Sequence, residues 1–241
     1  MIQFFAPEIA SEHTLPEEEA RHAIKVLRSR PGDIITAVDG RGTRYTCRLL
    51  SDNPRKADIE IINAEKTVPA WHTDITVAVA PTKNVDRMEW LVEKLVEIGV
   101  NNIVPLLCRH SERKIMKNDR LERIAVSAMK QSLKAALPNI APLTPVAEFI
   151  STCRSAQRFI CYCDDYIERI PLVKEYAPVA ESVAILIGPE GDFDPTEVKS
   201  AFECGFRPVT LGDNRLRTET AAIVAADTIH ILNQLHEINK K

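Results

Sequence analysis

Only eight of the 241 residues are glycine, and that scarcity removes the commonest nucleotide-binding sites. A dinucleotide fingerprint GxGxxG cannot be written anywhere, because the sole GxG is Gly40 and Gly42 and Tyr45 stands where the third glycine is required. No Gly-Lys-Ser or Gly-Lys-Thr occurs, which excludes a P-loop. The six cysteines (Cys47, Cys108, Cys153, Cys161, Cys163, Cys204) form no CxxC, and the six histidines offer no HExxH, so reduced, mostly buried thiols and no metal site are expected. No run approaches the ~18 consecutive apolar residues of a membrane span, and no signal-peptide layout follows Met1. A soluble, cytoplasmic protein is the expectation. The chain also lacks the basic excess common in nucleic-acid binders, since 31 basic against 34 acidic residues give a net charge of −3.

Two short stretches near the C-terminus carry most of the information that is present. Gly188-Pro189-Glu190-Gly191-Asp192-Phe193 follows the apolar run Val183–Ile187, and Leu211-Gly212-Asp213-Asn214-Arg215-Leu216-Arg217-Thr218-Glu219-Thr220-Ala221 follows Arg207–Leu211. Each opens a helix-like segment, so both loops are expected together at the carboxyl ends of strands in an α/β sheet, where such sheets bind ligands. For the first loop, Asp194 is placed as N-cap, Pro195 at the first helical position, and Glu197 to close a capping box, with Phe193 and Val198 as a hydrophobic staple. Gly205 is the expected stop. In the second loop Thr218 is read as N-cap, with Glu219 in the first turn where its charge suits the helix dipole.

The rest of the chain divides by pattern. Residues 1 to about 68 read as a small β-rich domain, with strands near 2–5, 34–38, 44–50 and 57–62. One helix interrupts them, presenting Ala20, Ala23, Ile24 and Leu27 on one face. Lys66–Thr73, including Pro69, reads as a linker. From Asp74 to 241, apolar runs near 75–80, 103–107, 158–163, 183–187 and 208–211 alternate with helical stripes, the pattern of a mostly parallel α/β sheet with helices on both faces. Basic residues cluster at Arg28, Arg30, Arg41, Arg44, Arg48, Arg55 and Lys56, and again at Arg109, Arg113, Lys114 and Lys117. Such clusters are either solvated faces or phosphate contacts.

At its two loops the chain resembles the SPOUT methyltransferases, specifically the RsmE type that methylates N3 of a uridine in small-subunit ribosomal RNA. The family pattern is similar to GPEGG, then a helix, then LG and LRTETA. Here Asp192 replaces the second glycine of the pair, and Leu216–Ala221 match fully. Upstream, Pro81-Thr82-Lys83, Arg87-Met88-Glu89, Lys94–Val100, Lys130-Gln131-Ser132 and Leu137-Pro138 resemble further family segments in the same order. His22, Val26-Leu27-Arg28, Pro31-Gly32-Asp33 and Asp39-Gly40 resemble its small PUA-like RNA-binding barrel.

The resemblance implies a trefoil-knotted cofactor region at about 183–225 and S-adenosylmethionine as the cofactor. Its contacts are expected at Ile187, Gly188, Glu190, Gly191, Leu211, Gly212, Leu216 and Ala221. It further implies 16S rRNA or the assembled small subunit as partner, and a homodimer. The C-terminal helix running to Leu235 and Ile238 is either the dimer contact or part of one subunit's core. Methyl transfer to N3 needs a proton acceptor and a stabiliser of the uracil anion. Arg217, then Arg215, suit the second role. Glu190 or Glu219 suit the first, unless they serve only as a loop brace and a first-turn dipole partner. Arg28, Arg41, Arg44, Lys83, Arg87, Lys94, Arg109 and Arg113 are the RNA-contact candidates, with Lys94 equally readable as a surface charge on an amphipathic helix. A noncatalytic ribosome-assembly factor on the same scaffold, or a SPOUT enzyme acting on another RNA, are the rival readings.

Overall fold

A computed structural model describes residues 2–68, 72–163 and 168–240. The chain separates into two compact units, Met1–Pro69 with Ala125–Leu137, and Ala70–Ile124 with Pro138–Lys241. Pro69, expected within the linker, lies outside the described residues.

The first unit holds a barrel-like five-stranded sheet. Its strands are β1 (Gln3–Phe5), β2 (Thr14–Leu15), β3 (Ile34–Val38), β4 (Thr43–Leu49) and β5 (Ala57–Lys66), in the order β1-β3-β4-β5-β2. Phe4, Ile9, Leu15, Leu49 and Ile59 fill its interior. The short helix α1 (Ile9–Glu12) had no clear sequence signal, being only four residues long. Helix α2 (Glu17–Arg21) runs into a π-helical turn at His22–Val26. Ala20 and Ala23 are buried as expected, but Leu27 is 36% exposed. The cause is the wider turn: the Leu27 amide bonds back five residues to His22 O at 3.0 Å, which rotates Leu27 off the apolar face.

The segment 125–137 packs with this unit, although the pattern from Asp74 onward reads as one continuous domain. The buried Gln3 side chain explains the attachment: its Nε2 donates to the carbonyls of Met129 (3.3 Å) and Lys134 (2.6 Å). Lys130 adds an ion pair to Glu19 at 2.5 Å. A buried amide without those acceptors would be costly.

In the second unit, β6 (Asp74–Val79) leads to α3 (Val85–Ile98), then β7 (Asn102–Leu107), α4 (Asn118–Gln131), whose residues from Ala125 onward belong to the first unit, and the short β8 (Asn139–Ile140) and β9 (Thr144–Pro145). Helix α5 (Val146–Thr152), β10 (Gln157–Cys161), β11 (Ile170–Pro171), α6 (Leu172–Glu175), β12 (Ser182–Ile187), α7 (Pro195–Glu203), β13 (Arg207–Thr210) and α8 (Thr218–Asn239) complete it. The strand order is β11-β13-β10-β12-β6-β7-β8, with β9 beside β7. Every recorded pairing in this sheet is parallel.

Both faces of the sheet are covered, which is why its strands read as continuous apolar runs. Ala78, Leu106, Ile160, Ala184 and Leu186 pack in one cluster with Val146 and Ile150 of α5 and Val198 and Ala201 of α7. The alternate residues Ile75, Val77, Ile103, Phe159, Val183 and Ile185 are also buried, as are Leu91 and Leu95 of α3 and Ala222, Ala226 and Ile229 of α8. Among the described residues no helix is long and apolar enough to cross a membrane.

Candidate active site

Parallel register places the loops. One rung of the sheet runs through Val209, Cys161, Ile187, Val79 and Pro105, so the segments leaving β13, β10, β12 and β6 emerge side by side at one edge. Beyond that rung lies a depression with two lobes of about 680 and 380 Å³. They share Cys161, Cys163, Asp192, Arg215, Leu216 and Ala221. Leu211 and Gly212 line only the larger lobe. Ile187, Gly188, Glu190, Arg217, Thr218 and Glu219 line only the smaller, with Arg87. The two loops singled out in the sequence therefore wall a single site, and pockets of this size suit a cofactor.

The first loop is built as its residues suggest. Asp194 Oδ1 accepts from Thr196 N at 2.9 Å, and Glu197 Oε2 accepts from Asp194 N at 2.9 Å, completing the capping box. The Thr196 donors hold the Asp194 carboxyl below its ordinary value of 3.8, outweighing partial burial. Phe193 and Val198 are both buried in the same cluster. Gly188 is tight for a side chain, since a Cβ would stand 3.1 Å from the Phe193 ring and 3.2 Å from Asp192 Oδ1, and those neighbours would have to give. Gly191 is similarly close to His110 Cβ, at 3.2 Å. The helix stops at Glu203, and Gly205 follows with φ +80°.

The second loop differs in one respect. Thr218 is the first residue of α8 rather than its cap; Arg217 occupies the cap position and makes no side-chain capping bond. Thr218 Oγ1 instead donates to Gly188 O at 3.1 Å, tying the two glycine loops together. A hydroxyl that reaches a buried carbonyl of another loop is lost to local capping. Gly212 has φ +127°, a conformation that side chains disfavour.

The charged candidates separate by their partners. Glu219 is 7% exposed, and its Oε1 lies 3.5 Å from Arg87 Nη1. Glu190 is exposed, and its Oε1 accepts from Lys83 N at 3.1 Å, joining the first loop to the segment after β6. Arg215 and Arg217 are exposed on the wall. The Cys161 thiol is pushed upward, first by burial and then by the neighbouring charges of Cys163 and Asp192, so it stays protonated and lines the floor as an apolar group.

The RNA-contact candidates are more engaged than a charge count suggests. In the first unit Arg41 bonds Pro7 O and pairs with Glu8, and Arg44 donates to Leu133 O at 2.8 Å. Arg28 is exposed with φ +59°. In the second unit Arg113 Nη2 donates to Lys83 O at 2.7 Å, and Arg109 Nη1 lies 3.3 Å from Asp194 Oδ2. Lys83 pairs with Glu112 at 2.8 Å. Lys94 is held by Glu93 and Glu97 at 2.6 and 2.9 Å, the pattern of a helix-surface charge. It lines neither lobe.

Sequence reasoning missed the contribution of β10. Cys161, Tyr162, Cys163 and Arg169 line the larger lobe, yet the segment carries no glycine signature. Its apolar run and the carboxyl-edge rule were the only available signals. Among the described residues no three His, Cys, Asp or Glu side chains are grouped to hold a metal ion.

Comparison with known proteins agrees with this geometry. Residues 69–230 match the RNA methyltransferase domain family, and residues 15–62 the RNA methyltransferase PUA domain. A probable rRNA methyltransferase from Porphyromonas gingivalis superposes with a TM-score of 0.93 at 43% identity, covering 98% of this chain and 100% of that one. Ribosomal RNA small subunit methyltransferase E from Neisseria gonorrhoeae, solved bound to S-adenosyl methionine, superposes at 0.82 with 31% identity over 96% of this chain and 98% of that one. The Bacillus subtilis protein of the same name is 25% identical over 95% of this chain and 93% of its own length.

Proposed function

The chain belongs to the RNA methyltransferase family, and from that premise we propose that it methylates N3 of a specific uridine in 16S rRNA. It is an S-adenosylmethionine-dependent methyltransferase of small-subunit ribosomal RNA. The observation that carries the reading is the pairing of lobes: a roomy one walled by Leu211–Leu216 opens, through shared residues, into one that holds Glu190 and Arg217.

The residues present suit the cofactor. Gly188 lines the smaller lobe with no side chain, where a Cβ would crowd Phe193 and Asp192, and Leu216 and Ala221 supply apolar surface shared by both lobes. Gly212 lines the larger lobe at φ +127°, a backbone conformation open to glycine. When bound, S-adenosylmethionine supplies an electrophilic methyl group on a cationic sulfonium. Ile187, Gly188, Leu211, Gly212, Leu216 and Ala221 would hold it, largely through backbone and apolar contacts, with Gly191 in the same loop but lining neither lobe.

The remaining residues manage the uracil. Glu190 accepts one backbone N–H through Oε1, which leaves its other oxygen to accept the N3 proton. Arg217, exposed on the wall of the same lobe, stabilises the anion that forms, with Arg215 beside it. Glu219 is assigned to holding Arg87 in place, because a buried carboxylate already paired is a poor proton acceptor. Holding nucleophile and methyl in line supplies much of the remaining acceleration.

The exposed basic residues of both units contact rRNA phosphates, and a cytoplasmic location follows from that substrate. The active form is a homodimer. Ile231, Leu235 and Ile238 are 46, 50 and 67% exposed on α8, an apolar surface that a second copy would cover. Mass-spectrometric mapping of 16S rRNA from a deletion strain, with and without the gene restored, tests the specificity. N3-methyluridine is expected to disappear and return, and an unchanged level refutes the assignment.

A further inference from the structure

The roles above leave Asp192 unused, although its charged side chain lines both lobes of the cavity. Asp192 has φ +61°, in the left-handed region that glycine enters freely and aspartate at modest cost. Its carboxylate offsets that cost. Oδ1 accepts from Phe193 N at 2.8 Å, and Oδ2 accepts from Cys163 N at 3.0 Å. Hydrogen bonds to an ionised carboxylate are stronger than neutral ones.

The two bonds do different things. The Phe193 bond is local and shapes the turn into α7. The Cys163 bond spans from the loop after β12 to the segment after β10, past the last paired rung at Cys161 and Ile187. The ladder has ended there, so the strut extends the connection of these neighbouring strands into the cofactor site. Cys161, Cys163 and Asp192 all line both lobes. A glycine at 192 would provide the backbone angle but neither bond, so the turn alone does not account for an aspartate.

We propose that Asp192 is a positioning residue that sets affinity for S-adenosylmethionine by fastening the Cys161–Cys163 segment to the first glycine loop. This rests on the function proposed above. Because the side chain acts through the shape of the cavity rather than on the reacting atoms, its loss changes cofactor binding and leaves turnover intact.

Two variants of the full chain separate the bonds. Asp192→Gly removes both bonds and the backbone strain. Asp192→Asn keeps the shape and the local acceptor, but turns an N–H donor toward the Cys163 amide and so loses the strut. Calorimetry with S-adenosylmethionine is expected to show Kd raised about tenfold in both variants, the scale of one lost hydrogen bond. The KM for the cofactor should rise in parallel with kcat on small subunits kept within about twofold, and the Cys163 amide should exchange hydrogen faster. Variants that bind like the parent, or that lose kcat with Kd unchanged, overturn the inference alone. A parent chain that binds no S-adenosylmethionine overturns the proposed function and this inference with it.

Discussion

At the scale of single residues, the glycines of the first loop leave little space for a side chain. Gly188 is the sharpest case, because an added Cβ would meet the Phe193 ring at 3.1 Å and Asp192 Oδ1 at 3.2 Å. Gly188→Ala is expected to cost about 1–3 kcal/mol through overpacking and to weaken cofactor binding, measured by denaturant melts and calorimetry. A variant with parental stability and affinity would show that the loop has slack. Arg217 is the contrasting residue. Its guanidinium is exposed on the wall of the smaller lobe, where the proposed function sets it against the uracil anion. Arg217→Ala should lower kcat by about 10²-fold, the scale of one lost anion-stabilising donor, while S-adenosylmethionine affinity stays within about twofold; parental turnover would remove it from the chemistry.

Elements place these residues, and the start of α7 is the best-defined of them. Asp194 is held ionised below 3.8 chiefly by the Thr196 donors. A depressed folded-state pKa stabilises the fold above the unfolded value, and that contribution is lost as pH falls through the folded value. Asp194→Ala should therefore melt at a lower temperature than the parent near pH 7, with the gap closing below about pH 3.8. A gap independent of pH would assign the effect to packing instead. The start of α8 taught the opposite lesson. Thr218 has the side chain of an N-cap, yet its hydroxyl goes to Gly188 O, 30 residues away in sequence. Local propensity yields when a long-range acceptor is better placed, and no reading of residues 211–222 could have supplied that acceptor.

For the whole molecule, Ile231, Leu235 and Ile238 leave apolar side chains exposed along α8. The double variant Leu235→Glu, Ile238→Glu places two like charges in the proposed dimer contact, where their desolvation is costly. It should sediment as a monomer and the parent as a dimer. Two species of equal mass would refute this contact. The segment 125–137 shows how assembly overrides pattern at this scale. Its sequence continues the alternation of the larger domain, but the buried Gln3 amide takes the carbonyls of Met129 and Lys134.

The amino-acid sequence by itself determined the alternation of strands and helices, the capping box at Asp194, the excluded cofactor classes and the two loops that form the site. These are local properties, governed by periodicity, turn chemistry and the backbone freedom of glycine, so neighbouring residues suffice to state them. Tertiary structure alone decided the order of strands that sets β10 between β12 and β13, and with it the entry of Cys161, Cys163 and Arg169 into the cavity. It also decided which carboxylate is spoken for, pairing Glu219 with Arg87 and leaving Glu190 exposed. Pairing, burial and strand order depend on which distant segments meet, and residues far apart in the chain carry no mark of that in their own identities.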